Sequence, residues 1–128
     1  MANMIEYLID TNVLSRVFKG ETNVTNFVEG IVAAIDVTIY IECLQGSKSN
    51  DEKRIIEKYL IRFPLIPITP ITSNMAIDLI RAYSNSHGLL LADALIAATA
   101  LENDLTVVTY NVEDFKFIKD LKYLKPTV

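Results

Sequence analysis

Four acidic residues of this chain stand at positions where carboxylates could carry out chemistry. Each one follows or interrupts an apolar or β-branched run, and together they are Asp10, Glu42, Asp93 and Asp114. Carboxylates gathered without histidine or thiolate suit hard divalent cations such as Mg²⁺ or Mn²⁺. Such a cation lowers the pKa of its bound water and neutralises developing negative charge, which suits the hydrolysis of phosphodiester bonds.

Asp93 is the most informative of the four acids. Besides Asp93, Thr99 is the only polar residue between positions 89 and 101, and a helix that is apolar on all sides is normally buried. A buried carboxylate needs a partner, a proton or a metal. The helix dipole supplies only about 0.3–1 kcal/mol, which is too little to offset several kcal/mol of burial. We therefore predict a functional role for Asp93.

The other three acids each have a purely structural alternative. Asp10 could cap a helix that begins just after it, although Asn12 is available as another cap. Glu42 could lie in the first turn of a helix, although no Ser or Thr three positions earlier completes a capping box. Asp114 could be an ordinary turn acid, with Asn111 closer to the preceding run.

Composition excludes several other kinds of site and partner. The chain has 16 acidic and 12 basic residues, a net charge of −4, which argues against a protein that coats nucleic acid by bulk charge. One cysteine, Cys43, and one histidine, His87, exclude a disulfide framework and a zinc cage of several cysteines.

Length and hydropathy indicate the class of protein. The chain has 128 residues, of which 51% are hydrophobic, so we expect one folded domain over 1–128. Its first ten residues lack Lys and Arg and do not form a secretory signal. Its longest apolar tract, 88–101, is shorter than the roughly 20 residues that span a bilayer. We therefore expect a soluble cytoplasmic protein without a membrane partner.

Short apolar strands alternating with helices must bring the acids together. The predicted strands are 5–9, 37–41, 65–68, 106–110 and 121–124, and the predicted helices are 13–18, 23–31, 51–63, 73–83 (capped by Ser73 or Asn74, with a loop at 84–88 after it) and 90–103. Alternation of this kind predicts an α/β fold, a short parallel sheet of about five strands sandwiched between helices. Ligands of such sheets bind beyond the carboxyl ends of the strands, where we expect the acids to converge.

Four segments of the chain resemble, in order, the motifs of PIN domains. They are LIDTNVL at 8–14, YIECLQG at 40–46, LADALIAATA at 91–100 and VVTYNVEDF at 107–115. The resemblance covers essentially the whole chain. It implies a compact domain of the kind found in VapC toxins of type II toxin–antitoxin systems, which are Mg²⁺-dependent endoribonucleases. They are usually homodimers and are held inactive by an antitoxin protein.

The resemblance also implies roles for individual residues. The metal-binding and catalytic acids would be Asp10, Glu42, Asp93 and Asp114, with Asp10 and Asp93 as the direct ligands. Supporting positions beside the site would be Thr11, Asn12, Thr109 and Asn111. The fourth acidic position varies in the family between the sites matched by Asn111 and Asp114, and we favour Asp114. Mg²⁺ is the expected cofactor, with Mn²⁺ as a possible substitute, and RNA is the expected substrate.

Two other functions stay open on the sequence. One is a catalytically inactive PIN-like module that binds RNA or protein, although such a module has no reason to keep an acid in an apolar helix. The other is a receiver-like phosphoacceptor domain, which also has aspartates at strand ends.

The surfaces that would meet partners are also suggested by the sequence. Four lysines at three-residue spacing follow the fourth motif and could contact RNA phosphates or simply form a solvated face: Lys116, Lys119, Lys122 and Lys125. The predicted helices 23–31 and 51–63 could form a groove for an antitoxin helix.

Overall fold

A five-stranded, wholly parallel sheet forms the centre of the protein, which confirms the predicted α/β class. The computed structural model describes residues 4–128. The strands are β1 (Tyr7–Ile9), β2 (Ala33–Asp36), β3 (Leu65–Ile66), β4 (Thr106–Val108) and β5 (Lys122–Leu124). Their order across the sheet is β3-β2-β1-β4-β5. A receiver-like domain has the order 2-1-3-4-5 instead, so the topology excludes that alternative.

Six helices surround this sheet within the described residues: α1 (Thr11–Phe18), α2 (Thr22–Glu29), α3 (Val37–Gln45), α4 (Asn50–Leu60), α5 (Pro70–His87) and α6 (Leu91–Asn103). Leu8 and Ile9 of the central strand are both fully buried. Successive strand residues point to opposite faces of a sheet, so both faces are covered. None of the helices in residues 4–128 is long and apolar enough to cross a membrane.

The predicted strand at 37–41 is wrong, because these residues form the first half of helix α3. The strand is the preceding run, β2, and Asp36 ends it. The Asp36 side chain accepts a hydrogen bond from the backbone N–H of Ile39 at 2.9 Å, so it caps α3. A β-branched residue costs a helix well under about 1 kcal/mol, and the cap and the burial of Ile39 outweigh this cost.

Helix α5 begins earlier and ends later than predicted. Neither Ser73 nor Asn74 caps it: Thr69 does, in a capping box with Thr72, and Pro70 occupies the first turn. The expected loop at 84–88 is helical as far as His87. The helix ends at Gly88, whose φ of 71° is a left-handed conformation that glycine adopts without strain.

Candidate active site

Asp10 lies at the carboxyl end of the central strand and both caps a helix and faces the other acids. Only 5% of its surface is exposed. Its Oδ1 accepts a hydrogen bond from the backbone N–H of Thr11 at 2.8 Å, which makes Asp10, rather than Asn12, the cap of α1. Its Oδ2 accepts from the Asn12 side chain at 3.0 Å and from the Thr109 hydroxyl at 2.9 Å. Both oxygens are thereby fixed in orientation.

The predicted supporting residues tie the ends of β1 and β4 together around Asp10. The fully buried Thr109 hydroxyl also accepts from the Asn12 side chain at 3.0 Å and from the backbone N–H of Asn111 at 2.9 Å. Asn12 Oδ1 in turn accepts from the backbone N–H of Tyr110 at 2.9 Å. Every polar side-chain atom of Asn12 and Thr109 therefore helps to position either Asp10 or the segment after β4.

Glu42 reaches the same edge of the sheet from helix α3. Its carboxylate is half-buried and accepts a hydrogen bond from the Thr11 hydroxyl at 2.7 Å. This bond joins α3 to the residue next to Asp10. Glu42 therefore lies beside Asp10, although it belongs to a helix and does not follow a strand as the sequence had predicted.

Asp93 lies half-buried in the first turn of α6 and faces the other three acids. Burial, followed by the negative charges of Asp10, Asp114 and Glu42, raises the pKa of Asp93 to about 7. Burial is also the largest reason that the pKa of Asp10 is raised to about 6, against the lowering effect of its hydrogen-bond donors. The repulsion felt by Asp93 indicates that the topology brings all four predicted acids towards one another.

Asp114 is the most exposed of the four acids. It ends a short 3₁₀ turn, Val112–Asp114. Asn111 precedes this turn and is also exposed, so the network uses its backbone N–H and leaves its side chain free to face solvent. No salt bridge within residues 4–128 involves any of the four acids.

The donor set suits a hard divalent cation. All candidate ligands are carboxylate oxygens, and two of the acids are held with raised pKa values and no ion-pair partner among the described residues. Within that same part of the chain, no three Asp, Glu, His or Cys side chains stand close enough together to form a complete metal cage. Mg²⁺ commonly binds one or two carboxylates and keeps several waters, so Asp10 and Asp93 suffice as protein ligands.

Asp36 is a further acid beside the site that the sequence analysis missed. It is fully buried at the end of β2, and its second oxygen accepts from the Thr99 hydroxyl at 2.8 Å. Asp36 thus links α3, which carries Glu42, to α6, which carries Asp93. Burial raises its pKa. The signal was present in the sequence, because Ile35-Asp36 ends an apolar run just as Ile9-Asp10 does.

The single cysteine and histidine take no part in this cluster. Burial, followed by the charges of Glu42 and Asp10, raises the pKa of the Cys43 thiol to about 12, so it is not a thiolate nucleophile. His87 is exposed at the end of α5, where its ring stacks on Phe117 at 4.3 Å between centroids.

Comparison with known proteins gives a consistent result. The PIN domain family matches residues 7–120. The ribonuclease VapC10 of Mycobacterium tuberculosis is 37% identical over 90 residues, which are 70% of this chain and 67% of that protein.

Two solved structures share the fold over almost their whole length. A toxin–antitoxin complex from Klebsiella pneumoniae has a TM-score of 0.81 at 27% identity, covering 95% of this chain and 98% of that one. VapBC2 from Rickettsia felis, bound to a DNA fragment from its promoter, has a TM-score of 0.80 at 26% identity with the same coverage. Since the family match spans most of the chain and agrees with the sheet order and the order of the four motifs, this protein belongs to the PIN domain family.

Proposed function

We propose that this protein is a Mg²⁺-dependent endoribonuclease and the toxin of a VapBC-type toxin–antitoxin pair. The observation that carries the proposal is the group of four carboxylates at one sheet edge, none of them in a salt bridge within the described residues. Their repulsion is costly in a purely structural site, and a divalent cation relieves it. The relationship to a ribonuclease of the same family supports RNA as the substrate.

In such a site, some residues of the chain would bind the metal and others would position the metal ligands. Asp10 and Asp93 would hold the cation, and Mn²⁺ would serve as a substitute because it prefers the same oxygen donors. When bound, the cation activates water and neutralises charge on the phosphate. Thr109 and Asn12 fix the orientation of Asp10, and Thr11 fixes that of Glu42. Asp114 stands at the exposed entrance.

A cleavage assay tests this function. A labelled single-stranded RNA is incubated with the purified chain in Mg²⁺, Mn²⁺ or EDTA, with Asp93→Asn as the disabled variant. Asp78→Asn is the matched control, because it makes the same charge change on an exposed face of α5. We expect internal cleavage in either metal, none in EDTA and none with Asp93→Asn. RNA binding without cleavage under every condition would instead support the inactive PIN-like binding module.

A cleft at the C-terminal ends of α2 and α4 is the surface that we assign to the antitoxin. It measures about 430 Å³ and combines apolar walls with Glu29, Tyr59 and Arg62. These are the helices for which the sequence suggested a groove. The fold shared with toxin–antitoxin complexes supports a partner protein. A mixed apolar and charged groove suits an amphipathic helix of such a partner.

A second face, built from α3, α5 and α6, supports a homodimer. Two adjoining clefts of about 260 and 380 Å³ share Leu91 and Leu95 in their linings. Leu91 is 70% exposed and Ile77 is 49% exposed, so large apolar side chains meet solvent there. Contiguous apolar surface of this kind is rare on monomers and typical of homodimer interfaces, so a second copy of the chain is the occupant we propose.

A further inference from the structure

The four lysines that follow the fourth motif are not equivalent in the structure. The Lys116 ammonium forms a salt bridge with the Glu113 carboxylate at 2.8 Å between Nζ and Oε2. Lys122 likewise faces Asp104 at 2.9 Å. Lys125, like Lys119, has no carboxylate within salt-bridge distance among residues 4–128. Its charge is therefore available to a ligand.

Position along the sheet separates Lys122 from Lys125. Lys122 pairs in register with Thr106, at the amino ends of the strands. Leu124 pairs with Val108 at the carboxyl ends, and its carbonyl accepts from the backbone N–H of Thr109 at 2.9 Å. Lys125 follows directly, roughly 10 Å further along the strand than Lys122. Of Lys122 and Lys125, it is therefore Lys125 that returns to the edge where the acids converge.

Lys125 also lines a cleft at that edge. The cleft measures about 470 Å³, and its other lining is the segment 110–114, which includes Asp114. Tyr110, in the same lining, has the Arg16 guanidinium 3.7 Å from its ring centroid. The cleft lining therefore combines Asp114 of the cluster, Glu113 with its charge paired by Lys116, and the unpaired Lys125, while Arg16 stands behind Tyr110 through a cation–π contact.

We propose that Lys125 binds a backbone phosphate of the RNA strand next to the one that is cleaved. This inference rests on the proposed function. The acids repel the phosphates of an RNA strand that approaches them. A positively charged side chain that lies beside the acid cluster, but outside it, offsets this repulsion without competing with the metal for the carboxylates. A phosphate contact of this kind positions the strand and carries no information on base sequence.

The test compares two substitutions that remove the same charge. Lys125→Gln and Lys122→Gln are each made in the Asp93→Asn background, which blocks cleavage, and binding to a labelled single-stranded RNA is measured by fluorescence anisotropy across a salt series. We expect Lys125→Gln to raise the Kd about fivefold at low salt. The slope of log Kd against log salt concentration should fall by about 0.7, which is the value expected for the loss of one phosphate contact to a single-stranded nucleic acid. Lys122→Gln should leave both unchanged.

The possible failures are distinguishable. If the two substitutions have the same effect while the unsubstituted chain cleaves RNA in Mg²⁺, the role of Lys125 is overturned and the proposed function stands. If the chain neither binds nor cleaves RNA, both are overturned. In the active chain, Lys125→Gln should raise KM and leave kcat unchanged, and an equal loss in kcat would contradict a positioning role. Both lysines are exposed, so the substitutions should leave the fold intact, and a thermal melt of each variant checks this.

Discussion

Asp10 and Asp93 are held in the folded chain at pKa values of about 6 and about 7, above the ordinary value of 3.8. The folded state therefore binds their protons more tightly than the unfolded state does. The contribution of these two carboxyls to stability is fully present below about pH 4 and is lost as the pH rises through about 7. A cation that binds only the folded chain restores stability at higher pH. Asp10 and Asp93 thus lower the stability of the metal-free fold at neutral pH, and the same two carboxylates are the proposed ligands of the cation.

Substituting Asp93 by Asn should separate stability from activity. Asp93→Asn removes the repulsion from the other three acids, so we expect its Tm in EDTA at pH 8 to exceed that of the wild type by a few degrees. The difference should shrink at pH 5, where the wild-type carboxyl is protonated. Mg²⁺ should raise the Tm of the wild type at pH 8 and leave that of Asp93→Asn unchanged. A lower Tm for Asp93→Asn at pH 8 would contradict this account.

Thr109 is the buried hydroxyl on which the orientation of Asp10 depends. Thr109→Val has the same shape but leaves the Asn12 side chain and the backbone N–H of Asn111 short of an acceptor, which should cost about 1–3 kcal/mol in urea unfolding. The Thr109 hydrogen bond lowers the pKa of Asp10. Its loss should move the acidic limb of the pH–cleavage profile to higher pH. Thr109→Ser keeps the hydroxyl and should restore both quantities; if it behaves like Val, the hydroxyl has no such role.

At the scale of secondary-structure elements, the sequence predicted most of the strands. It wrongly assigned residues 37–41, which lead into the second motif, to a strand instead of a helix. Residues 37–41 have the β-branched composition of a strand, and composition alone cannot show that Asp36 caps them as a helix. The bond between Asp36 and Thr99 joins residues 63 positions apart, so no local pattern reveals it. Asp10, Glu42 and Asp93 could be singled out because each follows or interrupts an apolar run, which is a local property, whereas Asp114 was singled out by the resemblance of the fourth motif.

Asp36 holds the two helices that carry Glu42 and Asp93, so its removal should affect both of them. Asp36→Ala leaves the backbone N–H of Ile39 and the Thr99 hydroxyl without this acceptor, and we expect a loss of about 2–4 kcal/mol in urea unfolding. Asp36→Asn keeps the cap, and Thr99 can turn its proton to the Leu95 carbonyl, 2.9 Å away.

The amide variant also tests the cause of the raised Asp36 pKa. Because Asn carries no charge to desolvate, Asp36→Asn should equal or exceed the wild type in stability at pH 8, and its advantage should diminish towards pH 4. RNA cleavage should fall with Asp36→Ala, measured well below its Tm, and persist with Asp36→Asn. Equal cleavage by both variants would show that Asp36 serves folding alone.

At the scale of the whole molecule, the apolar face adjoins the acids, because Glu42 lines its 260 Å³ cleft, whereas none of the four acids lines the antitoxin cleft. The four acids stand beyond the carboxyl ends of β1 and β4, the antitoxin cleft lies at the C-terminal ends of α2 and α4, and the apolar face lies on α3, α5 and α6. Strand alternation predicted the parallel sheet, and the sequence also suggested a groove at the helices 23–31 and 51–63. It did not predict the apolar face, which depends on which helices become neighbours.

The apolar face gives the last prediction, which concerns oligomeric state. Ile77 lies in the 380 Å³ cleft of α5, whereas Ile55 of α4 is 70% exposed and lies outside both of the clefts that share Leu91. If the face buries a second copy, Ile77→Glu places a charge in an apolar interface at a cost of several kcal/mol. Ile55→Glu places the same charge in solvent.

Light scattering coupled to size-exclusion chromatography measures the outcome. We expect a dimer for the wild type and for Ile55→Glu, and a monomer for Ile77→Glu at the same concentration. The antitoxin cleft is built from other helices, so a monomeric Ile77→Glu chain should still bind an antitoxin helix. A wild-type monomer, or a dimer that survives Ile77→Glu, would mean that this face does not bury a second copy.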